Sequence, residues 1–147
     1  MKIQIFKNAV ISVIPSHHRT ILYWGTPYYV EFPTIKTIVF YSQYKKYHFA
    51  GFYICNEYDY LLRIPHIEDD GHICLAWNNS ISFYDLDLEL LNKRVIDYFF
   101  QSDNLDHFNH SPTTDRNFTT SLLTGKIEVS NEKITIREED GKIYVVV

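Results

Sequence analysis

The stretch that decides the reading is Ile64-Pro65-His66-Ile67-Glu68-Asp69-Asp70-Gly71-His72-Ile73-Cys74-Leu75. Asp70-Gly71 is a strong turn signal, because both residues tolerate the backbone conformations that tight turns need. Ile73 and Leu75 then flank a cysteine. On residues alone, a thiol so flanked reads as a buried strand cysteine, since free cysteine is among the most buried residue types. His72 lies two positions before Cys74, so on a strand the two side chains share a face. His66, His72 and Cys74 also invite a zinc reading. The paired Cys-x-x-Cys or downstream His-x-x-x-His of structural zinc sites is missing, so no metal is expected. Glu68, Asp69 and Asp70 read by default as a solvated acidic turn, without the ligand spacing of a calcium loop.

Upstream of this stretch the chain reads as strands. Ile3 and Ile5 alternate with polar neighbours, and Val10 to Ile14 is apolar up to Pro15. Thr20 to Trp24, Tyr28 to Phe32, Thr37 to Tyr41, His48 to Cys55 and Tyr60-Leu61-Leu62 follow, rich in β-branched and aromatic residues and separated by Gly, Pro or polar breaks. Their even spacing predicts an antiparallel meander. His17-His18, beside Pro15, is expected in an exposed turn.

Downstream the period changes. Leu88, Leu91, Val95 and Phe99 recur at three- and four-residue steps and predict a helix beginning near Asp85. Asp85 is the expected cap, with Asp87 and Glu89 at the positive end of the helix dipole. The polar run from Asp103 to Asp115, with His107, His110 and Pro112, reads as loop. Ile134, Ile136, Ile143, Val145 and Val147 alternate around Asp140-Gly141, which predicts a terminal hairpin able to extend the sheet or to dock a partner at its edge.

The chain has 147 residues and reads as a single domain spanning 1–147. Its apolar share of 46% and charged share of 22% are those of an ordinary globular protein, and the 16% of aromatic residues favours a β-rich domain. The formal net charge of −4 leaves no electrostatic footprint for nucleic acid. No apolar run is long enough to span a membrane, and Met1 to Gln4 has no signal-peptide character, so no membrane partner is expected. The two cysteines, Cys55 and Cys74, make no disulfide framework and point to a reducing, cytoplasmic setting. Cys55 closes the apolar run Phe52-Tyr53-Ile54 and reads as core.

The 64–75 stretch resembles the active-site segment of ubiquitin-conjugating (E2) enzymes. In that family a His-Pro-Asn triplet leads through a short Gly-containing turn to an apolar-Cys-Leu. The spacing matches without gaps: Pro65 falls on the family's Pro, Gly71 on its Gly, Cys74 on the catalytic Cys and Leu75 on the following Leu. Ile64 stands where the family has His, and His66 where it has Asn. Bacterial E2-like proteins, of plasmid-borne PRTRC systems and of ubiquitin-like conjugation operons, are similar in placing His at the Asn position. Tyr98-Phe99-Phe100-Gln101-Ser102, after the helix stripe, looks like the former group. No helix is read before the first strand, where most family members have one that docks the activating enzyme.

The resemblance implies an α+β fold of UBC-like form: an antiparallel β-meander, then an active-site loop and helix, here with an extra C-terminal β-hairpin. It implies an E2-type transferase without a cofactor. Cys74 would accept a ubiquitin-like protein from an E1-like activating enzyme as a thioester, with a deubiquitinase-like protein as a further operon partner. Such chemistry requires a partly ionised thiol. It also requires a hydrogen-bond donor for the oxyanion that forms when an amine attacks. His66 can be that donor through a ring N–H, and as an imidazolium it would favour the Cys74 thiolate. Asp70 and Asp69 are candidates to orient or deprotonate the amine, with His72 and Asp85 as accessory candidates. Two other readings remain. One is an E2-like module that binds or scaffolds a ubiquitin-like protein without transferring it, which the replacements at Ile64 and His66 favour. The other is a hydrolase with a Cys74–His66 pair, for which no local cysteine-protease signature is present.

Overall fold

β-branched and aromatic residues at alternate positions dominate this chain, and the fold is built from them. The structure is a computed structural model, and it describes residues 1–23, 26–63, 84–100 and 123–146. Strands β1 (Lys2–Ile5), β2 (Ala9–Ile14), β3 (His17–Tyr23), β4 (Thr26–Phe32), β5 (Ile35–Tyr44), β6 (Lys46–Asn56) and β7 (Tyr60–Leu62) precede residues 64–83. After them come β8 (Tyr84–Asp85), helix α1 (Leu88–Phe100), β9 (Val129–Lys133), β10 (Thr135–Glu139) and β11 (Lys142–Val146).

The main sheet has seven strands in the order β1-β2-β5-β6-β7-β9, with β8 pairing the start of β6. All its pairings are antiparallel. The expected meander is interrupted. After β2 the chain leaves the sheet, forms the separate β3–β4 hairpin, and returns as β5 to pair with β2. Strand periodicity reveals which residues share a face but not which strands pair, so this excursion left no mark in the pattern.

Both faces of the sheet are covered. Along β5, Ile35 and Val39 join one core with Phe52 and Ile54 of β6, Val30 and Phe32 of β4, and Leu91, Val95 and Phe99 of α1. The intervening Ile38 joins a second core with Ala9, Cys55, Leu61, Ile134 and Ile143. The β10–β11 hairpin closes this second core. Its turn, Asp140-Gly141, has φ of 53° and 78°, the left-handed pair that a two-residue hairpin demands. Asn8 clamps the hairpin to the sheet: Nδ2 donates to the Ile143 carbonyl (2.9 Å) and Oδ1 accepts from its N–H (2.8 Å). The terminal hairpin therefore covers a face of the sheet and does not lengthen it.

The α+β expectation, and the UBC-like architecture it carried, is overturned. Among the described residues, eleven strands stand against one 13-residue helix, and the molecule is mostly antiparallel β. The physical reason is that hairpins cover much of the sheet: β10–β11 lies on one face, and β3–β4 shares the other with α1.

The helix stripe is where the periodicity placed it, with Leu91, Val95 and Phe99 buried and Leu88 packed against them. Its cap is Asp87 and not Asp85. Asp87 Oδ1 accepts from the N–H groups of Glu89 (3.0 Å) and Leu90 (3.2 Å), the second and third positions of the helix. Asn92 is also buried and donates through Nδ2 to Ser12 Oγ at 3.0 Å. Asn92 Oδ1 and the buried Thr37 Oγ1, on the strand beside Ser12, have no partner among the described residues.

Candidate functional site

The candidate nucleophile Cys74 lies in the segment 64–83, between β7 and β8. Cys74, His66, Asp70, Asp69 and His72 are all outside the described residues. The structure describes what frames the segment.

The incoming side is a braced turn. Asn56 ends β6, and its Oδ1 accepts from the N–H groups of Tyr58 and Tyr60, both at 2.9 Å, an Asx arrangement that turns the chain into β7. Asp59 sits at φ 71° in this turn, pairs with Lys36 Nζ at 2.5 Å, and accepts at its carbonyl from Ile134 N–H at 3.0 Å. β7 is then held between β6 and β9, and Arg63 N–H donates to the Glu128 carbonyl at 2.9 Å. On the outgoing side, β8 pairs Tyr84 with His48 and Asp85 with Tyr47. Both ends of the segment are thus tied to the main sheet.

Asp85 is the one candidate that is described. Its Oδ2 meets Arg94 Nη2 at 2.8 Å and its Oδ1 accepts from Asp87 N–H at 2.9 Å. These interactions, the backbone N–H of Asp87 first and Arg94 next, hold its carboxyl below the usual carboxylate range. Such a group can orient an ammonium but is a poor base at neutral pH.

The other cysteine is chemically silent. Cys55 is fully buried in the second core, with its thiol directed to the Lys36 carbonyl at 3.9 Å. Burial pushes its pKa up to about 12; Lys36 opposes this and Asp59 adds to it. It is a core thiol, as its apolar flanks predict. The turn expected at His17-His18 is instead strand: both residues lie in β3, with His17 half-buried. The signal for this was the alternation of His17 and Arg19 with Ile21, which is buried.

Among the described residues, no group of three or more His, Cys, Asp or Glu side chains could hold a metal ion, and no helix is long and apolar enough to cross a membrane. Comparison with family models, curated proteins and solved structures finds no match.

Proposed function

We propose that the chain is a cysteine-dependent transferase that carries a ubiquitin-like protein as a thioester on Cys74. The observation that carries this reading is the ungapped Pro65, Gly71, Cys74, Leu75 spacing in the 64–75 stretch. The thiol inventory supports it: with Cys55 buried and protonated, any thiol chemistry of this chain falls to Cys74. The reading rests on these residues and not on the mostly β architecture.

In the first step the Cys74 thiolate attacks the carbonyl carbon of a modifier held as a thioester on an E1-like enzyme. A new C–S bond forms, the old one breaks, and the E1 cysteine leaves as a thiolate. In the second, an amine attacks the Cys74 thioester. A tetrahedral oxyanion forms and collapses, with the C–N bond made, the C–S bond broken and the Cys74 thiolate released. His66 donates to the oxyanion, and Asp70 or Asp69 takes the proton that the amine loses. Asp85, committed to Arg94, is left an orienting role at most. The partners are an E1-like enzyme, a ubiquitin-like protein and a deubiquitinase-like protein, in the cytoplasm.

The replacements at Ile64 and His66 favour a second reading, a module that binds the modifier without transferring it. Incubation with an E1-like enzyme, a ubiquitin-like protein and ATP, read by intact mass without reductant, separates the two. The transferase forms a thiol-sensitive adduct that survives Cys55→Ala and is lost in Cys74→Ala. Stable binding with no adduct, while the E1-like enzyme charges itself, establishes the module.

A further inference from the structure

Arginine is almost always ionised, so one set half into a core calls for an explanation. Arg19 is on the inward face of β3, alternating with His17 and the fully buried Ile21. Its guanidinium carbon lies 3.8 Å from the centre of the Phe100 ring, at the end of α1. Phe100 is fixed in turn, edge-on to Phe32 at 5.4 Å and to Phe99 at 5.1 Å. Arg19 Nε donates to His17 Nε2 at 3.0 Å. His17 is itself fixed: it stacks on Phe32 at 5.5 Å with the rings 8° apart, and its Nδ1 lies 2.9 Å from the Pro15 carbonyl. An acceptor at Nε2 and a carbonyl at Nδ1 together assign the ring proton to Nδ1.

The guanidinium is therefore fixed in plane by an aromatic face and in rotation by one hydrogen bond through Nε. Its two Nη groups form no hydrogen bond or ion pair among the described residues. Asp97, one helical turn before Phe100, attracts Arg19 without forming an ion pair with it. Burial outweighs that attraction and lowers the pKa of Arg19.

We propose that Arg19, aligned by His17 and Phe100, is a preformed receptor for a carboxylate, which its Nη groups bind side by side. The parallel pair of N–H donors on a planar fork matches the two coplanar oxygens of a carboxylate. A single cation with Asp97 nearby favours a monoanion over a doubly charged phosphate. The site involves neither cysteine, so it stands or falls apart from the thioester reading.

The competing explanation is structural: α1 has no basic residue in its last turn, and Arg19 supplies positive charge near that end. The test is a titration of the whole chain with acetate at ionic strength held constant with chloride, followed by the 15N–1H signal of Arg19 Nε and the Phe100 amide. The proposal expects saturable shifts at both, with inorganic phosphate weaker than acetate. Arg19→Lys, which keeps the charge but loses the fork, should weaken acetate at least about tenfold. His17→Phe, which keeps a ring against Phe32 but removes the acceptor, should weaken it as well. Shifts that follow chloride alone, or none in the wild-type protein, would overturn the proposal and leave Arg19 its structural role. Phosphate binding as tightly as acetate would overturn the carboxylate assignment. Because the wild-type titration decides the matter, variants that fail to fold do not protect the proposal.

Discussion

Replacing Cys55 with alanine should change how stability depends on pH in a way that isolates this one thiol. Cys55 is fully buried, and burial raises its pKa from the ordinary 9.0 to about 12. In the unfolded chain the thiol ionises near its ordinary value. Above that pH the unfolded chain has shed a proton that the folded chain retains, so the folded state loses stability as pH rises. The loss begins near pH 9 and ends near pH 12, where the folded thiol itself ionises. Its slope is about 1.4 kcal/mol per pH unit, or roughly 4 kcal/mol across the window. Cys55→Ala has no such slope, but it forfeits the packing of the sulfur, about 1–2 kcal/mol at every pH. Urea unfolding of both proteins at about pH 8, 9.5 and 10.5 reads the difference, which isolates the one thiol that the two proteins do not share. The wild type should be the more stable at the lowest pH, and the gap should close and then reverse as pH climbs. A gap that stays constant would refute the reasoning, because it would mean that Cys55 titrates alike in the folded and unfolded chains.

Three further outcomes follow from individual contacts. Asp87→Ala, which removes the acceptor for Glu89 and Leu90, should cost about 1 kcal/mol by chemical denaturation, and Asp87→Asn should recover most of it. Thr37→Val replaces a buried hydroxyl that has no partner among the described residues with a methyl group of similar shape and should stabilise the fold by about 1 kcal/mol; a loss of that size would mean the hydroxyl has a partner. Gly141→Ala should destabilise by about 1–2 kcal/mol, because φ of 78° strains any side chain and the new Cβ would lie 3.2 Å from Lys7 Cε; thermal unfolding checks it.

The strands were legible because half-buried strands advertise themselves in β-branched and aromatic alternation, and β1 to β7 fall close to where that alternation put them. The Leu88 to Phe99 stripe and the Asp140-Gly141 turn were legible for equally local reasons. What was not legible is pairing at a distance. Nothing within Thr20 to Phe32 says that this hairpin leaves the sheet, since its alternation is that of any strand pair. The capping error has the same origin. Asp85 and Asp87 both precede the stripe; α1 begins at Leu88, which puts Asp87 at the cap, while Asp85 pairs with Arg94, nine residues further on. The α+β expectation came from the order of strands, one helix and a terminal hairpin, and its UBC-like form from the 64–75 resemblance; it failed because the pairing and placing of the strands, which make most of the molecule, are not written in their local alternation. Of the site, the silence of Cys55 could be read from its apolar flanks. The fixed guanidinium of Arg19 could not, because it depends on Phe100, far along the chain.

The central claim is that Cys74 carries an acyl group. A serine in its place tests this most directly, since an oxyester outlives the thioester it mimics. Cys74→Ser would be incubated with an E1-like enzyme, a ubiquitin-like protein and ATP, and its intact mass read after treatment with excess thiol and again after mild alkali. The account predicts an adduct of modifier size that resists thiol, is cleaved by alkali and maps to residue 74. An unmodified Cys74→Ser protein beside a fully charged E1-like enzyme, with wild type equally unmodified, would contradict it.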